Sequence, residues 1–133
     1  MGRTWLERLR LWALVRRVAL LRRLDGAVVG PKARQGDFHR LLSMALREGA
    51  EADFRLWLFD PHAQVRALGL VCLVQRRPED LFASLQPLGR DVAMVKLRPH
   101  GETVFEMPLS QLAMVLINTP GYFGSRTSSP QVS

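Results

Sequence analysis

The chain is poor in the residue types on which most protein chemistry is built. One cysteine, Cys72, excludes an intramolecular disulfide and any cysteine-cluster zinc site. Three widely separated histidines contain no His-Glu-x-x-His pattern. Neither Gly69-Leu70-Val71 nor Gly124-Ser125-Arg126 supplies the Gly-x-Ser-x-Gly elbow of a serine nucleophile. Gly26, Gly30 and Gly36 lack the Gly-Lys-Ser/Thr ending of a phosphate loop. Long apolar runs are also missing. The longest, residues 67–74, is far short of the ~18 residues a membrane span requires.

What is present is a folding composition. Hydrophobic residues make up 47% and charged residues 23% of 133 positions, enough for one domain with a real core. Acids are scarce at one end only. Residues 1–40 carry ten bases against three acids, whereas residues 41–133 carry nine of each, so the net charge of +7 is N-terminal. An electrostatic partner, whether nucleic acid, anionic lipid or acidic protein, is expected to meet that end. Arg16 and Arg17 interrupt the apolar stretch 11–15, so the N-terminus does not read as a signal peptide. The expected location is the cytoplasm.

Residues 4–24 have strong helix formers, no internal Gly or Pro, and a Thr4/Glu7 capping box. On a helical wheel the apolar residues fall on two arcs rather than one. Trp5, Leu6, Leu9, Ala13, Leu20 and Leu24 share the first; Leu11, Leu14, Val18 and Leu21 share the second. Such a helix packs on two sides or meets a partner with the spare arc. A membrane surface, nucleic acid and a docking partner are the functional alternatives to a plain first helix with a solvated arginine edge. Arginines lying between the arcs blur the polar/apolar division that lipid binding needs.

Asp25-Gly26 ends that helix, and residues 30–36 read as a breaker-rich, basic loop. Asp37 is placed to cap a helix whose stripe is Phe38, Leu41, Leu42, Ala45 and Leu46, and Glu48-Gly49 stops it. A short helix carrying Phe54, Trp57 and Leu58 follows. The clearest helix start in the chain is next: Asp60 as cap, Pro61 at the first helical position, then Val65, Leu68 and Cys72 at helical spacing to about residue 76. Residues 78–87 predict another helix with the stripe Leu81, Phe82, Leu85 and Leu88. Shifting the chain by 27 residues lays Ala45-Leu46 on Cys72-Leu73, Asp53 on Asp80 and Phe54 on Leu81, so 37–59 and 60–90 read as two copies of one helical hairpin. Beyond residue 90 the period shortens. Residues 92–97 and 103–107 predict a small β-hairpin, and Pro108 opens a last helix with Leu109, Leu112, Ala113, Leu116 and Ile117 on one face, ending near residue 118. The tail, 124–133, is Ser/Pro-rich and expected to be disordered.

The segment Asp60-Pro61…Val65-Arg66…Leu73, with Gly69 where alanine is usual, resembles the first helix of a HEAT repeat. The resemblance implies a mainly α fold, a short superhelix of antiparallel helical hairpins, here with a β-hairpin near the C-terminus. It also implies that Arg66 ladders to an aspartate of the adjacent repeat, for which Asp91 is the natural partner, and that Gly69 permits close helix approach. The whole of 1–123 is then one helical-repeat domain.

No residue set specifies a reaction. The Asp37/His39 and Asp60/His62 pairs each combine a helix-start aspartate with a first-turn histidine, and would suit a metal only if they met. Glu51/Asp53 and Glu79/Asp80 lie in first turns, where acids stabilise the helix. The expectation is therefore a non-catalytic interaction module without metal or cofactor, binding an unidentified protein. The alternative is nucleic-acid binding through Arg8, Arg10, Trp12, Arg16, Arg17, Arg22 and Arg23. Self-association through residues 4–24 is also expected from the second apolar arc.

Overall fold

The computed structural model describes residues 3–123. In chain order these form α1 (Trp5–Ala19), β1 (Leu24–Asp25), α2 (Asp37–Glu48), α3 (Glu51–Trp57), α4 (Ala63–Arg76), α5 (Leu81–Ser84), β2 (Met94–Arg98), β3 (Phe105–Pro108) and α6 (Leu109–Asn118), with a single 3-10 turn over Gln86–Leu88. The fold is thus helix-rich with a small sheet. Residues 124–133, expected to be disordered, lie outside the described residues. No helix among the described residues is long and apolar enough to cross a membrane.

Helix α4 is the hub. Ala67 through Val74 are all buried, because α1, α2, α3, α6 and β2 pack around it. A helix apolar on all sides belongs in the middle, and this one contributes the longest apolar run of the chain. Its closest neighbour is α3, and Gly69 makes that approach workable. A Cβ there would sit 2.6 Å from the Phe54 carbonyl oxygen and 3.1 Å from the Trp57 Cβ. Val65 and Leu73 are fully buried. Arg66 pairs with Asp91, as the resemblance implies, at 2.7 and 3.3 Å.

The start of α4 differs from expectation. His62 is the N-cap and Ala63 the first helical residue, so Pro61 lies outside the helix rather than at its first position. Asp60 does not cap helical amides. Its carboxylate accepts the His62 N–H at 2.9 Å, making a side-chain turn that delivers the chain to the helix. Asp37 is likewise not a cap. Gly36 holds that position and Asp37 is the first helical residue, paired with Arg40 at 3.0 Å.

Two predicted helices are shorter in the structure. The one expected over 4–24 keeps its Thr4/Glu7 capping box but ends at Ala19. The one expected over 78–87 is a single four-residue turn followed by the 3-10 turn, and Phe82, placed on its apolar stripe, is exposed. Pro87 and the absence of a side-chain cap at Asp80 leave too few hydrogen bonds for a longer helix.

Leu24 is withdrawn from the first helix by the sheet. β1 pairs in parallel with β2, with Leu24 opposite Leu97 and Asp25 opposite Arg98, and β2 pairs antiparallel with β3. The expected two-stranded hairpin is therefore a three-stranded sheet in the order β1-β2-β3. Registration places the Asp25 carboxylate under the Arg98 guanidinium, which donates from Nη2 at 2.9 Å and from Nε at 3.2 Å. Gly26 continues the contact: its N–H donates to the Arg98 carbonyl, and a Cβ there would overlap Pro99. The expected loop at 30–36 belongs to a tight reversal, in which Val29 and Arg34 exchange backbone hydrogen bonds and Val29 bridges to Gly101.

Candidate functional site: the surface of the N-terminal helix

The capping box sets the direction of α1 and with it two faces. Leu11, Leu14, Val15 and Val18 turn inward onto α2 and α4 and complete the core. The other arc stays in water. Trp5, Leu6, Leu9, Trp12 and Leu20 are all exposed large apolar side chains.

Beside this ridge a groove of about 440 Å³ runs between α1 and α3. Leu11, Val15 and Trp57 line its floor. Trp12 on one wall is 62% exposed, and Leu56 on the other is 69% exposed. Ion pairs stand at its two ends. Arg3 binds Asp53, donating from Nη1 at 3.1 Å with a second, shorter contact from Nη2, and Arg16 lies 3.5 Å from Asp60. Asp53 also accepts the Ala50 N–H at 2.7 Å, so the residue that holds Arg3 starts α3 as well. The hydrogen bond to Asp53 pushes the Arg3 pKa upward, keeping its charge in place. Thr4, whose backbone N–H donates to Glu7, holds that carboxyl below its ordinary range.

The arginines singled out in the sequence are not gathered into one patch. Arg8, Trp12 and Arg16 line the groove. Arg10 leans to the other side of α1, 3.8 Å from Glu48 of α2. Arg23 donates to Asp25 at 2.9 Å and, with Arg22, borders β2. Arg8, Arg17 and Arg22 form no ion pair among the described residues. Hence part of the N-terminal charge is structural: Arg3, Arg10 and Arg16 tie the first helix to acids elsewhere in the fold, and Arg23 pairs locally with Asp25 of β1.

Leu56, Trp57 and Asp53 were not legible as site residues. They belong to a different helix, and only packing of both helices on α4 brings them beside Trp12. Asp25 and Arg98, 73 residues apart, had no local signal either.

The two Asp-x-His pairs do not combine. His62 contacts its own Asp60 at 3.1 Å, and His39 is buried beside Gln35 at 2.9 Å. Among the described residues no group of three or more His, Cys, Asp or Glu is placed to hold a metal. Cys72 is deep in the core, where burial pushes its thiol pKa up and leaves it protonated. No protein-family model matches the chain, and no curated protein matches it significantly.

Proposed function

We propose that the chain is a non-catalytic protein-interaction module of the cytoplasm, built as a short HEAT-like stack of helical hairpins, and that it takes an apolar segment of its partner into the α1–α3 groove. The HEAT-like part is supported by the order and spacing of elements. Helices α2 and α3 recur as α4 and the short α5 at the 27-residue shift, and Arg66 reaches Asp91. The observation that carries the interaction reading is Trp12 and Leu56 standing exposed on opposite walls of one groove with an apolar floor. Covering either side chain removes apolar area worth roughly 1.5–3 kcal/mol, and tryptophan is the residue most often found at the energetic centre of an interface.

A photoreactive amino acid in place of Leu56 tests the reading in cells. A discrete cross-linked product is expected, lost on Trp12→Ser. The same substitution at Phe82, equally exposed but away from α1, is the control. No product from position 56 beyond that from position 82 overturns the reading.

Nucleic-acid binding is the second reading, favoured by Arg8, Arg17 and Arg22, which form no ion pair among the described residues. Three phosphate contacts imply a log–log salt slope of about −2.7 on duplex DNA. A fluorescence anisotropy titration at two salt concentrations measures it, and no binding at low salt excludes it.

A further inference from the structure

The outer face of α1 has a different chemistry from the groove beside it. At ~100° per residue, Trp12, Trp5, Leu9, Leu20, Ala13 and Leu6 fall within an arc of about 120°. All six are exposed, Trp5 at 73% and Leu20 at 83%. In the linear sequence Arg8, Arg10, Arg16 and Arg17 interrupt the apolar residues of this helix. The fold removes that ambiguity by burying the opposite arc. Of the arginines, only Arg16 falls inside the outer stripe, and its guanidinium is drawn aside to Asp60. Arg8 borders one edge of the stripe and Arg17 the other, neither in an ion pair among the described residues, and Arg22 follows the helix end.

We infer that this stripe rests on an anionic lipid bilayer surface, with α1 parallel to the membrane plane. Interfacial helices carry tryptophan and leucine in the centre and cations along the rims, where the rings sit at headgroup depth and the cations meet lipid phosphates. The distribution of charge separates this occupant from the others. A nucleic-acid face places free cations at its centre; here Leu9 and Leu20 occupy the centre, the one central arginine, Arg16, is turned to Asp60, and Arg8 and Arg17 stand on the rims. A second copy would set arginine rims against arginine rims. Glu7 of α1 itself is engaged in the capping box with Thr4, and the acids reaching α1 from other elements, Asp53, Glu48 and Asp60, are already held by Arg3, Arg10 and Arg16. An anionic, laterally mobile surface satisfies both rims at once. Trp12, Arg8 and Arg16 border both the stripe and the groove, whereas Trp5, Leu6, Leu9 and Leu20 belong to the stripe alone.

Flotation of the full chain with phosphatidylcholine vesicles, with and without phosphatidylserine, is the test. Binding to the anionic vesicles is expected, weakening as salt rises, with a blue shift of tryptophan emission against the constant background of buried Trp57. Arg8→Gln and Arg17→Gln are expected to weaken binding about fivefold each. Trp5→Ser with Leu9→Ser lowers it tenfold or more. Phe82→Ser and Leu56→Glu leave it unchanged, which keeps the outcome independent of the groove. Absence of flotation with phosphatidylserine at low salt overturns the inference, as does flotation that survives Trp5→Ser/Leu9→Ser. A concentration-dependent dimer, capture of an acidic protein, or DNA binding that is lost in those variants while vesicles are ignored assigns the stripe to another occupant and equally overturns it.

Discussion

Arg66 and Asp91 meet as a two-point ion pair, Nε to Oδ2 at 2.7 Å and Nη2 to Oδ1 at 3.3 Å, with both side chains mostly buried. The same guanidinium donates from Nη1 to the carbonyls of Asp60 and Pro61 at 2.8 and 3.1 Å. Asp91 in turn accepts the Ala93 N–H at 3.1 Å. One contact thereby joins the turn before α4 to the segment leading into β2. Removing either partner strands the other in a poorly solvated place. Arg66→Ala and Asp91→Ala are each expected to cost about 3 kcal/mol in urea unfolding. The double variant should cost clearly less than the sum, and strict additivity would show that the pair is not coupled.

Gly69→Ala sets two effects against each other. Alanine gains up to about 1 kcal/mol of helix propensity, but its Cβ meets the Phe54 carbonyl oxygen at 2.6 Å. Backbone cannot yield as a side-chain tip does, so separating α3 from α4 should win with a net loss of about 1–2 kcal/mol. Gly121→Ala, where a Cβ meets nothing within 4 Å, is the matched control and should be near neutral by thermal melting.

Arg98→Ala leaves the buried Asp25 carboxylate with Arg23 as its remaining ion-pair partner. The expected cost is about 2–3 kcal/mol, concentrated where β1 joins β2. Amide hydrogen exchange should show it locally, as lost protection at Gly26, whose N–H donates to the residue-98 carbonyl. Unchanged protection there would mean that the backbone ladder holds β1 without the ion pair.

Cys72 should resist thiol reagents in the native protein. Its side chain is fully buried and its thiol pKa is raised by that burial, so almost no thiolate exists near neutral or mildly alkaline pH. Reaction is expected only through unfolding, and the labelling rate should rise with urea in step with the unfolded fraction. Fast labelling without denaturant would contradict the packing of α4.

Much of the architecture was written in local pattern. The Thr4/Glu7 box, the α2 stripe, the apolar run of α4 and the strand-to-helix change at Pro108 all depend on neighbours within a few residues. Where local pattern and structure differ, a distant contact prevails. Leu24 has helical spacing with Leu20, yet it lies in β1 because β2 offers it a hydrogen-bonded edge and a place opposite Leu97. Gly36 displaces Asp37 as the cap of α2 because its backbone passes so close to Asp25 that a Cβ there would be only 2.2 Å from the Asp25 Cβ.

The candidate sites divide in the same way. By its own pattern the sequence determined that α1 would carry two apolar arcs, that the excess charge would be N-terminal, and that α4 would hold the longest apolar run, 67–74. Which arc of α1 faced the core was a tertiary decision. It depended on α2 and α4 covering Leu11, Leu14, Val15 and Val18, which left Trp5, Leu9 and Leu20 in water. Tertiary packing also separated the structural arginines from the available ones, because Glu48, Asp53 and Asp60 reach α1 only once α2, α3 and the turn before α4 are in place. A side chain's periodicity is local, whereas its partner is chosen by the fold.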